Sequence, residues 1–193
     1  MKTDILLAGV GGQGILSIAA ALGQAVLQNQ LYLKQAETHG MSQRGGAIVA
    51  HLRLSDQPIA SDLISRGSAD MILSDEPMEA LRYLPYLSEN GVVVTNSKPF
   101  INIPNYPEID DLIAELKKLP EVIIIDADDI AKEFGSIHAS NMVMLGAASP
   151  FIQISFENIE EGIRRIFQKK GEEVLEMDLQ AARAGRDFVL LRK

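Results

Sequence analysis

The chain has 193 residues, 47% of them hydrophobic, with 18 basic against 26 acidic residues and a formal net charge of −8. That length and apolar content are enough for a sizeable core in one domain, and the acidic balance argues against sequence-independent nucleic-acid binding, which needs a basic footprint. The absence of cysteine excludes disulfides, thiolate zinc sites, iron–sulfur clusters ligated by this chain and a cysteine nucleophile.

The first apolar run is cut at Gly9 and is too short for a signal sequence. The other apolar stretches reach about half a membrane span or less. A soluble, cytoplasmic protein is the expectation. Residues 4–9, DILLAG, predict a buried strand. Residues 13–28 predict a helix in which Ile15, Ile18, Ala19, Leu22 and Val26 recur at helical spacing. Leu16, Ala20 and Leu27 lie off that stripe, which predicts a helix covered on more than one side. A second strand is expected over 31–37, a long polar loop over 38–46 and a third strand over 47–55. ADMILSD (69–75) is a fourth strand, followed by a helix opened by Pro77, a residue suited to a first helical turn. GVVVTN (91–96) is a fifth, and prolines at 99, 104 and 107 make 97–108 an extended loop. A helix over 109–119, a sixth strand over 121–127 and a short helix near 128–134 come next. An apolar helix from Ser140 to Pro150 and two amphipathic helices over 157–169 and 172–190 close the chain. Strands alternating with helices predict an α/β fold of three layers, α/β/α, around a mostly parallel sheet. The helices from about 157 either finish the domain or dock on a partner.

Gly9, Gly11 and Gly14 follow the first strand at the spacing of a phosphate-cradling fingerprint. A strand ends, the chain turns tightly, and a helix begins. Its first N–H groups and positive dipole end suit an anion. Three readings stay open: a dinucleotide pyrophosphate, another phosphate-bearing or acidic group or a partner's backbone, and tight packing of helix on strand. Glu37, at the end of the second strand, is the candidate for ribose hydroxyls in the first. It opens, however, the stretch ETHGMSQRGG (37–46), whose remainder, THGMSQRGG, a dinucleotide site does not need.

That second stretch packs Glu37, Thr38, His39, Ser42, Gln43 and Arg44 between glycines. In a parallel sheet it leaves the same strand end as the glycine loop, so both line the crevice where such folds bind ligands. Arg44 suits a phosphate or carboxylate, and His39 suits an oxyanion or titration near neutrality. A satisfied polar loop at a subunit contact is the plainer reading. Asp75 and Glu76 are taken as a helix cap or solvated charges rather than a metal site or general base. Asp126, Asp128 and Asp129 are taken as helix-start charges, and Asn141 as a cap. No Ser-His-Asp order, HExxH motif or Walker lysine is present.

In order along the chain, LLAGVGGQGI, ETHGMSQRGGAIVAHLRL, ADMILSDEPMEALRYLPYL and NMVMLGA together resemble the gamma-type domain of 2-oxoacid:ferredoxin oxidoreductases. The resemblance spans about residues 1–185. HGMSQRGG is far more specific than the glycine loop, and its wording is nearest the small subunit of the indolepyruvate branch. What the resemblance implies is a single gamma-type domain over 1–193, folded as in pyruvate:ferredoxin oxidoreductase and inactive alone. Complexes of this family oxidatively decarboxylate a 2-oxoacid with coenzyme A, giving an acyl-CoA, CO2 and reduced ferredoxin. The implied partner is a large subunit carrying thiamine diphosphate, magnesium and the iron–sulfur clusters, through which ferredoxin is reached. Coenzyme A is implied at the interface. Gly11, Gly12, Gln13 and Gly14 match the family's first loop. Glu37, His39, Gly40, Ser42, Gln43, Arg44, Gly45 and Gly46 match its second, and Asn141 its late asparagine. No catalytic residue and no metal ligand is assigned to this chain. The residues agree independently. Clusters of this kind need thiolates, and no Gly-Asp-Gly element with a following asparagine pair is present, so both chemistries belong on another polypeptide. Two alternatives remain: a nicotinamide- or flavin-binding Rossmann-like domain, and a scaffold that binds only protein.

Overall fold

The computed structural model describes residues 1–39 and 45–192, with His39 placed by its backbone. Its centre is β1 (Lys2–Val10), buried from Thr3 onward on both faces. Because side chains alternate along a strand, Ile5 and Leu7 join one apolar layer and Leu6 the other. Around it lie β2 (Tyr32–His39), β3 (Ala47–Ser55), β4 (Ala69–Ser74), β5 (Leu87–Asn96) and β6 (Val122–Ile125), in the order β2-β3-β1-β4-β5-β6.

β1, β4, β5 and β6 pair in parallel, whereas β3 is antiparallel to both β1 and β2. The sheet is therefore mixed, with five strands pointing one way and β3 reversed. The cause is the connection over 40–46, too short for the dozen or so residues of a parallel crossover. It closes a hairpin instead.

Among the described residues seven α-helices cover the two faces: α1 (Ile15–Gln28), α2 (Pro77–Arg82), α3 (Ile109–Leu116), α4 (Ala127–Glu133), α5 (Ser140–Ala148), α6 (Phe156–Phe167) and α7 (Glu172–Leu190). Ala80 of α2 and Leu116 of α3 pack on Leu6, Ile72 and Val93. On the other face α1, α4, α5, α6 and α7 share a larger core with Ile5, Leu7, Leu52, Leu73 and Val94. Every residue of α5 from Asn141 to Ala148 is buried, because α7 lies across it. A Cβ added at Gly146 would collide with the Ala182 backbone, and one at Gly185 with that of Val143. Glycine is what lets these two helices approach so closely. Gly162 of α6 meets Ala21 of α1 in the same way. The two C-terminal helices thus finish the core. Leu16, Ala20 and Leu27, expected to be covered, are exposed on α1. The sheet and α6 occupy its other sides.

Candidate functional site

The parallel strands end together at one edge of the sheet. There α1 leaves β1 toward one face while α2 leaves β4 toward the other, the switch point at which open α/β sheets form ligand crevices. A crevice of about 490 Å³ opens at this edge, between the glycine loop, the ends of β4 and β5 and the starts of α5 and α7.

Gly12 (φ 109°) and Gly14 (φ 88°) hold left-handed dihedrals that side chains rarely adopt. Gly14 is the N-cap of α1 and supplies no side-chain cap, so the helix start stays open for an acceptor. Gln13 pins the loop. Its Oε1 accepts from Val10 N at 2.7 Å and its Nε2 donates to the Asp75 carbonyl at 3.0 Å. Asn141 does not cap its own helix. Its Nδ2 donates to the Gly14 carbonyl at 3.3 Å.

The glycine loop is bonded to Gly45 and Gly46, the described end of the second motif. Gly11 N donates to the Gly46 carbonyl at 2.9 Å, and Gly45 N to the Gly11 carbonyl at 3.3 Å. Asn102, from the proline-rich segment, donates to the Gly45 carbonyl at 2.7 Å. The shared strand end expected from the sequence is therefore present, although by way of the β2–β3 hairpin. Of the residues singled out in the second loop, Ser42, Gln43 and Arg44, with Gly40 and Met41 beside them, lie outside the described residues, as does the His39 side chain. Glu37 sits within β2 and accepts from Gln35 Nε2. Because β3 stands between β2 and β1, Glu37 lacks the place beside the first strand that a ribose-binding acid requires. The geometry gives the dinucleotide alternative no support.

The floor of the crevice is acidic. Glu76 caps α2, accepting from Glu79 N at 2.8 Å, and its other carboxylate oxygen accepts from the Tyr106 hydroxyl. Burial and that bond push the Tyr106 hydroxyl's pKa upward. Asp75 does not behave as the sequence suggests. It is neither a cap nor solvated but 3% exposed, and neither carboxylate oxygen has a hydrogen-bond partner among the described residues. Burial, and then the charge of Asp128, push it up to about 8. Asp128 accepts from Asn96 Nδ2 at 3.0 Å, while Asn96 Oδ1 receives Ala127 N at 3.2 Å. Asp126 caps α4 through Asp129 N at 3.1 Å. Asp178, which drew no notice in the sequence, enters the wall from α7 and is pushed up to about 6 by burial, against the pull of Lys170. Only the fold-back of α7 brings it here. Among the described residues no group of three or more His, Asp or Glu side chains is placed to hold a metal ion, and no helix is long and apolar enough to cross a membrane.

The family described as pyruvate ferredoxin/flavodoxin oxidoreductase matches residues 4–188. An indolepyruvate oxidoreductase subunit IorB from Archaeoglobus fulgidus is 37% identical over 194 residues, covering 96% of this chain and 94% of that one. The fold is similar to a keto/oxoacid ferredoxin oxidoreductase gamma subunit from Geobacter sulfurreducens, with a TM-score of 0.73, 23% identity and coverage of 98% and 99%. It is also similar to a 2-oxoglutarate:ferredoxin oxidoreductase from Magnetococcus marinus, solved with 2-oxoglutarate, coenzyme A and succinyl-CoA bound. There the TM-score is 0.78 at 25% identity, covering 98% of this chain and 31% of that longer one.

Proposed function

We infer that this chain, which belongs to the pyruvate ferredoxin/flavodoxin oxidoreductase family, is the small subunit of an indolepyruvate:ferredoxin oxidoreductase. In this reading residues 1–193 act as one gamma-type domain of a cytoplasmic complex. The domain closes an active centre whose reactive parts sit on a large partner subunit. The observation that carries the reading is the backbone joining of Gly11 to Gly46 and of Gly45 to Gly11. It brings Gly45 and Gly46, the described end of the second motif, against the glycine loop at the carboxyl edge of the sheet.

The residues present do not fit thiamine diphosphate or an iron–sulfur cluster, since there is no cysteine and no metal-holding group among the described residues. Those cofactors belong to the partner, where they supply carbanion and electron-transfer chemistry. The residues do fit an anionic group. The open start of α1 at Gly12, Gln13 and Gly14, next to the loop bearing Arg44, would receive a phosphate of coenzyme A at the interface. Asn141 holds the Gly14 carbonyl and so orients that helix start. Phe100, Ile101, Ile103 and Ile137 are exposed on the segments flanking the crevice, and covering them would exclude water from the junction. The substrate reading rests on the relative named for indolepyruvate. Aromatic residues make up 5% of this chain, and the indole pocket is assigned to the partner.

Calorimetry of coenzyme A on the assembled complex tests this reading. An Arg44→Ala complex should bind coenzyme A at least about tenfold more weakly, the loss of one charge-assisted contact. NADH and FAD should give no heat with the isolated chain. Unchanged assembly together with unchanged coenzyme A affinity in Arg44→Ala would contradict the assignment.

A further inference from the structure

We propose that the acidic floor of the crevice is a socket for a basic side chain supplied by the large partner subunit. The proposal rests on the subunit reading and adds the chemistry of one contact. Its starting point is Asp75. The residue lines the crevice, is 3% exposed, and leaves both carboxylate oxygens without a partner among the described residues. Buried polar groups are nearly always satisfied, so such an exception calls for a cause.

The neighbouring amides are committed elsewhere. Gln13 Nε2 donates to the backbone carbonyl of Asp75 rather than to its carboxylate, and Asn96 Nδ2 donates to Asp128. The fold therefore presents two carboxyls in electrostatic contact, one oriented by an amide and the other buried at the base of the crevice with no partner among the described residues.

The charge balance selects the occupant. The titratable side chains lining the crevice are Asp75, Asp128, Asp178, His138 and Lys170. Glu76, buried next to Asp75 in sequence, is already spent on Glu79 N and the Tyr106 hydroxyl. Three carboxyls against one ammonium favour a cation over a second anion on the floor. A phosphate at the open start of α1 would add to that attraction. A metal ion is a poorer fit, since no group of three candidate ligands converges among the described residues and Asn96 Oδ1 already takes two backbone N–H groups. Phe100, Phe167, Val174 and Met177 give the crevice apolar walls suited to the aliphatic stem of lysine or arginine. Phe100 and Ile137 are 40% and 44% exposed, as expected of a mouth that a partner covers. The crevice is lined by Gly12, Gln13 and Gly14 of the glycine loop, the same helix start that the subunit reading turns toward the partner.

The socket has a proton signature. Asp75 sits near 8 in the free chain and is neutral at pH 7. A cation seated beside it would ionise it and release a proton. Assembly should then strengthen as pH rises from 6 toward 8, by up to about tenfold per pH unit, and level off above 8. Titration calorimetry of this chain with the large subunit, at pH 6, 7 and 8 in buffers of different ionisation enthalpy, counts that proton. Close to one proton released at pH 7 is expected for the unmodified chains. Asp75→Asn should abolish it and weaken assembly at pH 8 at least about tenfold, while the isolated variant unfolds no more easily than the parent. Asp128→Asn should also weaken assembly. If Asp75→Asn assembles with undiminished affinity, or the proton release survives it, the socket is refuted while the subunit reading stands. If the unmodified chains do not assemble at all, the subunit reading falls and takes the socket with it.

Discussion

Asn141 stands where a side chain on Gly14 would have to go. Its Nδ2 donates to the Gly14 carbonyl at 3.3 Å, and the same amide blocks the position of a Cβ built on Gly14. A residue at the start of α5 thereby fixes the start of α1, 127 positions earlier in the chain. Gly14→Ala would meet both this amide and a left-handed φ of 88°. It should cost on the order of 1–3 kcal/mol, measured by urea unfolding. Adding Asn141→Ala should recover part of that loss, so the double variant should lie above the sum of the singles. Strict additivity would mean that the two residues do not constrain one another.

Gln13 ties β1 to β4 through two backbone groups, Val10 N and the Asp75 carbonyl. Gln13→Ala leaves both without that partner and should lower stability by about 1–3 kcal/mol. Gln13→Glu keeps the acceptor for Val10 N but loses the donor, so it should fall between the parent and Gln13→Ala at neutral pH. Equal stability of all three would remove this tie from the account.

The close crossing of α5 and α7 depends on Gly146 and Gly185 facing the partner backbone. A methyl group there has rigid main chain in its way rather than a movable side chain. Gly146→Ala or Gly185→Ala should each cost at least about 1–3 kcal/mol and make α7 more susceptible to limited proteolysis. Resistance to cleavage equal to the parent would contradict the crossing.

Asp75 sets a pH trend in the isolated chain. Its folded pKa, about 8, lies above the ordinary value of 3.8. The stability linked to its neutral form is full below about pH 4 and drains away as pH rises to about 8. Asp178, at about 6, adds to the decline between 4 and 6. Asp4 acts in the opposite sense. Burial alone would raise it, but Arg53 and Lys2 overcome this and hold it low, so its contribution is lost in strong acid. Asp75→Asn should therefore match the parent near pH 4 and exceed it by at least about 1 kcal/mol near pH 8. Thermal melts at the two pH values decide. A variant no more stable at pH 8 would show that the carboxyl has found a partner.

Much of this architecture was legible because strand and helix periods are written plainly in the apolar residues. Ile5, Leu6 and Leu7 announce a strand buried on both faces, and Pro77 marks a helix start. The hairpin of β2 and β3 was missed because a run such as AIVAHLRLS specifies a strand but not its direction; that follows from the length of the connection before it. Asp75 and Glu76 show a different limit. Both are acids at a strand end, and both have the side chain to cap α2. The direction of the chain after Ser74 gives Glu76 the helix start and drives Asp75 into the crevice. Asp178 is unreadable for a related reason: its burial depends on a helix that returns from the far end of the chain.

Reconstitution of activity tests the central claim most directly. Indolepyruvate-dependent viologen reduction with coenzyme A is measured for this chain, for the large subunit and for the two mixed. No turnover by this chain alone and full turnover only in the mixture is the expected result. Turnover by this chain alone, or a large subunit fully active without it, would contradict the claim.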